Sequence, residues 1–273
     1  KYINGKDRDY KMTEKIYFHN SKKQKLCGVL EEPKQSKEEI VILVHGYSSN
    51  KEGKTTSDMA KELTTRGMNS FRIDLDGCGE SEGYFAEQTV TSMADDIVSA
   101  IKFVESLGYE NIDLMGASGG AISSMVAVLQ CPQIRKLALK SPTFDYVEQR
   151  RKSYGEEKIK KWKEKGHLMI EKSRGTLRVD YSFFEDAHNH IMYDKVKNIS
   201  CPVLMIHGDA DEVVDIKQSK KAVNNFPNVK LIIFHGANHN LGLDGDRSLS
   251  NKLFADWLEG KELIVSEPHY FYN

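Results

Sequence analysis

The sequence predicts an α/β fold with a mostly parallel central sheet and helices on both faces. Three observations carry this expectation. Short apolar runs alternate with longer helical patterns along almost the whole chain. The run Ile40 to Val44 is apolar without a break, as in a strand covered on both faces. The alternation lapses once, from Pro142 to about Ile191, where Lys, Arg and aromatic residues dominate.

Taken in order, Thr13 to Phe18 and Leu26 to Leu30 flank the polar turn Asn20-Ser21-Lys22-Lys23 and predict an antiparallel hairpin. After the buried strand Ile40 to Val44, a helix runs from Ser57 to Arg66 and stops at Gly67. Ser70 to Asp74, Ile112 to Met115 and Ile134 to Lys140 read as strands, with helices over Thr89 to Leu107 and Ser118 to Gln130. Residues 142–191 are too many for a connecting loop and predict a structured insertion with a charged helix over Glu156 to Lys165. The insertion follows a strand end, which places it above the carboxyl edge of the sheet, where ligands bind. It therefore reads as a lid. Strands over Val203 to His207 and Leu231 to Phe234, and helices over Ile216 to Asn225 and Ser248 to Glu259, complete the pattern. The 273 residues show no internal repeat and read as one domain over 1–273, with the lid at about 142–191.

Composition excludes several classes. Basic and acidic side chains nearly cancel, 39 against 40, so no global field recruits nucleic acid or a membrane surface. There is no apolar run of the ~18 residues that a membrane span needs. Cys27, Cys78, Cys131 and Cys201 are scattered without C-x-x-C spacing, which suggests free thiols in a reducing, cytoplasmic setting. The polar start, Lys1 to Asp7, has no apolar signal core. It also lacks an initiator Met, which leaves room for an upstream leader.

Chemistry concentrates at Gly116-Ala117-Ser118-Gly119-Gly120, between an apolar run and a helical pattern. A G-x-S-x-G turn from strand to helix lifts the serine Oγ above the sheet and frees the next N–H, that of Gly119, to face a reacting oxygen. A serine needs a base and an orienting acid, and in this arrangement they follow in the order acid, then base, each after a strand. Gly208-Asp209-Ala210-Asp211 and His235-Gly236-Ala237-Asn238-His239 fall at those places.

Asp209, Asp211 and Asp215 compete for the acid. Asp209 directly follows the glycine turn, where an Asx bond would stabilise it, whereas Asp211 lies further out, within reach of an imidazole. His235 is expected to end its strand facing the sheet, and His239 to follow a flexible segment. The favoured set is Ser118, Asp211 and His239. Val44-His45-Gly46-Tyr47 ends a buried strand, and the Tyr47 N–H is the expected second oxyanion donor beside that of Gly119. His45 reads as a structural hydrogen-bonder.

These motifs give the chain a resemblance to the α/β-hydrolases over nearly its full length, and within them to bacterial cinnamoyl and feruloyl esterases. The residues that carry it are His45 to Asn50, Phe71 to Gly83, Gly116 to Gly120, His207 to Val214 and Gly236 to His239. The resemblance implies a serine carboxylesterase with nucleophile Ser118, acid Asp211, base His239 and oxyanion donors Tyr47 and Gly119. Ala117 and Cys78 stand where those esterases often carry His, and the insertion is more basic than a phenolic-ester lid requires. Phe144, Tyr146, Trp162, Phe183 and Phe184 are the expected walls of an apolar acyl or aryl pocket. No metal or organic cofactor is implied. The expected partner is a small-molecule ester, and a homodimer is an admissible assembly. Lysophospholipase, monoacylglycerol lipase and prolyl-oligopeptidase-type peptidase are the next activities in rank.

Rival motifs are weaker. Ser48 to Thr55 approaches a phosphate loop, but Ser48 replaces its first glycine. His188-Asn189-His190 has ligand-like spacing without a partner pair, which suggests a surface or lid role. Arg150 to Lys152 and Lys158 to Lys165 alternate with Glu156, Glu157 and Glu164, as on a solvated helix face. A hydrolase-like binding protein is the non-enzymatic alternative.

Overall fold

The computed structural model describes residues 12–33, 36–172, 175–242 and 245–272. Its strands are β1 (Met12–His19), β2 (Lys25–Glu32), β3 (Glu39–Val44), β4 (Ser70–Ile73), β5 (Asn111–Ala117), β6 (Lys136–Lys140), β7 (His167–Lys172), β8 (Gly175–Asp180), β9 (Val203–Gly208), β10 (Val229–Phe234) and β11 (Tyr270–Tyr272). The helices are α1 (Lys54–Thr65), α2 (Val90–Ser106), α3 (Gly119–Gln130), α4 (Tyr146–Lys165), α5 (Ser182–Ala187), α6 (Lys217–Ala222) and α7 (Asp246–Leu258).

The main sheet runs β1-β2-β4-β3-β5-β6-β9-β10-β11. Strands β4 through β10 in that order are parallel, while β1, β2 and β11 add antiparallel edges. The strand pleat sorts side chains into two cores. Ile40, Ile42 and Val44 join the layer containing Ile97, Ile101, Ile122 and Met125 of α2 and α3. Val41 and Leu43 point the other way, onto Met59, Leu63 and Phe254 of α1 and α7. The chain leaves β3 for β4 on one side and returns to β5 on the other. The strand order therefore reverses at β3 and β5, and a crevice opens at their carboxyl ends. Tyr47 and Ser118 follow those two ends.

The region after β6 differs most from expectation. The charged stretch Glu156 to Lys165 is only the second half of α4, which starts at Tyr146 and is interrupted at Gly155 (φ 72°, ψ 161°). Asp145 caps α4 by accepting from the Glu148 N–H at 2.9 Å, and Gly166 ends it in the left-handed region. A separate antiparallel hairpin, β7–β8, follows. Trp162 is buried against it and donates Nε1–H to the Val179 carbonyl at 3.0 Å. His188 Nδ1 donates to the Phe184 carbonyl, while His190 Nε2 meets Thr91 Oγ1 at 2.8 Å, so this pair ties its segment to α5 and α2. Near the C-terminus, β11 pairs with β10, an edge strand that the pattern does not predict.

Elsewhere the differences lie at boundaries. Helix α1 begins three residues earlier than expected, β6 starts at Lys136, and Ile216 to Asn225 divides into α6 and a 3₁₀ turn over Val223–Asn225.

Candidate active site

Ser118 stands between β5 and α3 with φ 51° and ψ −116°, a conformation costly for a side chain with a Cβ. The surroundings hold it there. Its N–H donates to the Lys140 carbonyl at 2.9 Å, and its carbonyl accepts from the Ala121 N–H at 3.0 Å. Small neighbours are obligatory. A Cβ on Gly116 would lie 2.5 Å from Ser124 Oγ and 2.8 Å from Ala121 Cα. One on Gly119 would meet the Tyr146 hydroxyl at 1.9 Å and Tyr47 Cβ at 2.9 Å. Gly119 is the first residue of α3, and helix geometry gives its N–H no intrahelical acceptor.

The structure brings Ser118, His239 and Asp211 into one hydrogen-bonded chain. His239 Nε2 lies 2.9 Å from Ser118 Oγ, and His239 Nδ1 lies 2.7 Å from Asp211 Oδ2. Asp211 Oδ1 accepts from the Val213 and Val214 N–H groups, each at 2.8 Å. Burial works to raise the Asp211 pKa. The hydrogen bonds from His207 and His239 outweigh it and hold this carboxyl well below the usual carboxylate range. The loop bearing His239 is fixed by Ser141 Oγ, which donates to the His239 carbonyl at 2.9 Å.

His207 is the participant that the sequence pattern does not reveal. It is fully buried at the end of β9, with Nε2 2.9 Å from Asp211 Oδ2 and 3.1 Å from the Val214 carbonyl. Both are acceptors, so Nε2 carries the proton and Nδ1 accepts from Ser219 Oγ at 2.7 Å. Its signal was the histidine preceding Gly208, but only the fold joins it to Ser219 and Asp211.

The competing residues have other partners. His235 does not face the sheet: its side chain is 65% exposed and its Nδ1 lies 2.9 Å from Asp209 Oδ2. Phe234 and Ala237 already fill the apolar layer there, which turns His235 outward. Asp209 does not close its own turn either, since Oδ1 accepts from the Gly236 N–H across the neighbouring loop. Asp215 accepts from the Lys217 N–H at the start of α6 and pairs with Lys152. His45 Nε2 accepts from the Leu75 N–H at 3.2 Å, as a structural residue. In the stretch resembling a phosphate loop, Lys51 is buried and bound by Nζ to Asp74 and Glu80, while Lys54 is exposed on α1.

Of the aromatic residues expected around the pocket, Tyr146 and Phe183 pack on Tyr47, with ring centroids 6.2 and 5.0 Å away. Phe144 packs instead with Tyr193 and Phe226, and Trp162 and Phe184 pack on each other and on Tyr181. The Arg150 guanidinium sits among Tyr47, Tyr146, Tyr154 and Phe183, 5.1 to 5.7 Å from their centroids. A cavity of about 160 Å³ lies beside Ser118 and His239. A larger surface cleft of about 470 Å³ between α1 and α7 holds no hydrogen-bonded nucleophile and base.

A parallel sheet reversing at β3 and β5, with a serine at a strained turn above it, defines a serine hydrolase of the α/β-hydrolase superfamily. The Hydrolase_4 family model, described as serine aminopeptidase, S33, matches residues 35–184 and 174–246, and the chain belongs to that family. It is 25% identical over 231 residues to the mouse mitochondrial palmitoyl-protein thioesterase ABHD10, covering 82% of this chain and 77% of the relative. The solved structure of mouse alpha/beta hydrolase domain-containing protein 10 superposes with a TM-score of 0.75 at 22% identity, covering 90% of this chain and 99% of that one. Est1E from Butyrivibrio proteoclasticus with bound ferulic acid gives a TM-score of 0.77 at 22% identity, covering 90% and 98%. No helix among the described residues is long and apolar enough to cross a membrane.

Proposed function

We propose that this protein hydrolyses carboxylic esters through an acyl-enzyme on Ser118, acting on short acyl or aryl esters of the cinnamoyl type. The observation that carries this is His239, placed between Ser118 Oγ at 2.9 Å and Asp211 Oδ2 at 2.7 Å. Ser118 Oγ attacks the ester carbonyl and passes its proton to His239 Nε2. Asp211, anionic and buried, holds Nδ1–H and stabilises the imidazolium that forms. The Tyr47 and Gly119 N–H groups receive the charge that develops on the carbonyl oxygen. His239 then protonates the departing alkoxide. Water attacks the acyl-enzyme with the same imidazole as base, and the acid leaves as Ser118 regains its proton.

The segment 142–191 serves as the lid, with Tyr146 and Phe183 supplying apolar wall next to Tyr47. Charge favours esters over peptides with a free amino terminus, which need a carboxylate to receive the ammonium. The cavity beside Ser118 is lined by Lys140 and by neither Asp nor Glu. Thioesters form the second reading, supported by the relative described as a palmitoyl-protein thioesterase, because the same acyl-enzyme chemistry serves both. Four buried free cysteines fit a reducing, cytoplasmic setting.

The test is turnover of p-nitrophenyl esters together with labelling by a fluorophosphonate. Wild type is expected to do both, and Ser118→Ala neither. Undiminished turnover by Ser118→Ala would place the nucleophile elsewhere.

A further inference from the structure

One charged group beside the candidate nucleophile has no hydrogen-bond partner among the described residues. Lys140 ends β6 with its side chain 2% exposed, and its Nζ makes no hydrogen bond among the described residues. Lysine is seldom buried unless paired, because an ammonium removed from water loses its hydration. The other buried lysine near the site, Lys51, is bound to both Asp74 and Glu80. Lys140 is therefore a buried cationic donor with no acceptor among the described residues.

Its position is built into the site. The Lys140 carbonyl accepts the Ser118 N–H, and the next residue, Ser141, holds the His239 loop. In the sheet Lys140 lies opposite Ala117, so the two side chains share a face. That face borders the 160 Å³ cavity, which Lys140 lines together with Ser49, Thr55, Ser118, Ser141 and His239. Burial, helped by the charge of Arg247 and opposed by a smaller effect of Asp58, lowers the Lys140 pKa to about 8. Near neutral pH the amine still carries its proton, and its residue borders the small polar cavity that opens on the reacting serine.

We propose that Lys140 binds a carboxylate carried by the substrate itself, so that the preferred esters hold a second, anionic acid group a short chain from the scissile carbonyl. The proposal rests on the esterase reading and names its substrate class: half-esters of short dicarboxylic acids. The carboxylate enters the cavity beside Ser118 and pairs with Nζ, while the carbonyl lies at the Tyr47 and Gly119 N–H groups. Cavity size limits the chain between the two groups to a few atoms.

The experiment compares p-nitrophenyl hydrogen succinate with p-nitrophenyl butyrate, which matches it in length and lacks its charge. Each is assayed with wild type and Lys140→Met, and with Lys140→Gln should the methionine variant fail to fold. A charge-assisted hydrogen bond predicts a wild-type preference for the succinyl ester of roughly tenfold or more in kcat/KM. That ratio should collapse in the variant. An equal ratio in wild type and variant would overturn the proposal. If neither ester is turned over, the esterase reading fails, and binding of monomethyl succinate still decides the role of Lys140. A rise in Tm with this probe that is present in wild type and lost in the variant supports it, and no rise in wild type overturns it.

Discussion

His207 and His239 share one oxygen of the buried Asp211 carboxylate, at 2.9 and 2.7 Å. The other oxygen is taken by two backbone N–H groups. Four donors thus fix an anion that has no water contact of its own, since the Asp211 side chain is fully buried. The imidazole of His239 is then oriented by a group that cannot rotate away.

His207→Leu tests this arrangement. The substitution removes one donor from Asp211 and leaves Ser219 Oγ without its acceptor. A hydrogen bond to a charged group contributes on the order of 1.5–3 kcal/mol, so kcat should fall by about tenfold to a hundredfold. KM should change little, because His207 is buried away from substrate. His207→Gln, which keeps a donor, should recover part of the loss. A lower Tm with unchanged kcat would make His207 a packing residue only.

The lowered Asp211 pKa gives a signed prediction for stability against pH. A carboxyl with a folded pKa below its unfolded value, about 3.9, stabilises the fold above that value. The contribution vanishes as pH falls through the folded pKa. Asp211→Asn is less stable at neutral pH but has no such titration. Wild type should therefore lose more Tm between about pH 5 and pH 3 than the variant does. Parallel curves would mean that the Asp211 carboxyl is not held low.

Much of this architecture is legible because burial writes itself into sequence where a strand is covered on both faces. Ile40 to Val44 of β3 reads as an unbroken apolar run and β5, β9 and β10 as mostly apolar ones, and glycines at the ends of the last three mark where Ser118, Asp211 and His239 stand. The hairpin β7–β8 gives no such signal, since Ile170 and Val179 are its only buried residues among those described. The first half of α4 is hidden by Gly155, which interrupts the helical pattern, and β11 is too short to show a period. His207 and Lys140 are harder still. One reads as a strand end and the other as a surface charge, until the packing of α6 and α1 encloses them.

Gly119→Ala tests how tightly the oxyanion side of the site is packed. The new methyl would lie 1.9 Å from the Tyr146 hydroxyl, 2.9 Å from Tyr47 Cβ and 3.2 Å from Tyr146 Cζ. Something must move, and both candidates border the expected oxyanion donors. Losing one such donor costs about 10²–10³ in kcat, and displacement of the Gly119 or Tyr47 N–H should approach that loss. Tyr146 lies fully buried with its hydroxyl unpartnered among the described residues, so Tyr146→Phe removes the closest clash and breaks no hydrogen bond. The double variant should regain activity relative to Gly119→Ala, by about tenfold, since residues in contact couple by 0.5–3 kcal/mol. Recovery should remain incomplete, because Tyr47 Cβ still stands within 3 Å of the added methyl. Michaelis parameters for p-nitrophenyl butyrate across the four proteins measure the coupling. Strictly additive losses would mean that the Tyr146 hydroxyl does not press on the turn that holds Ser118.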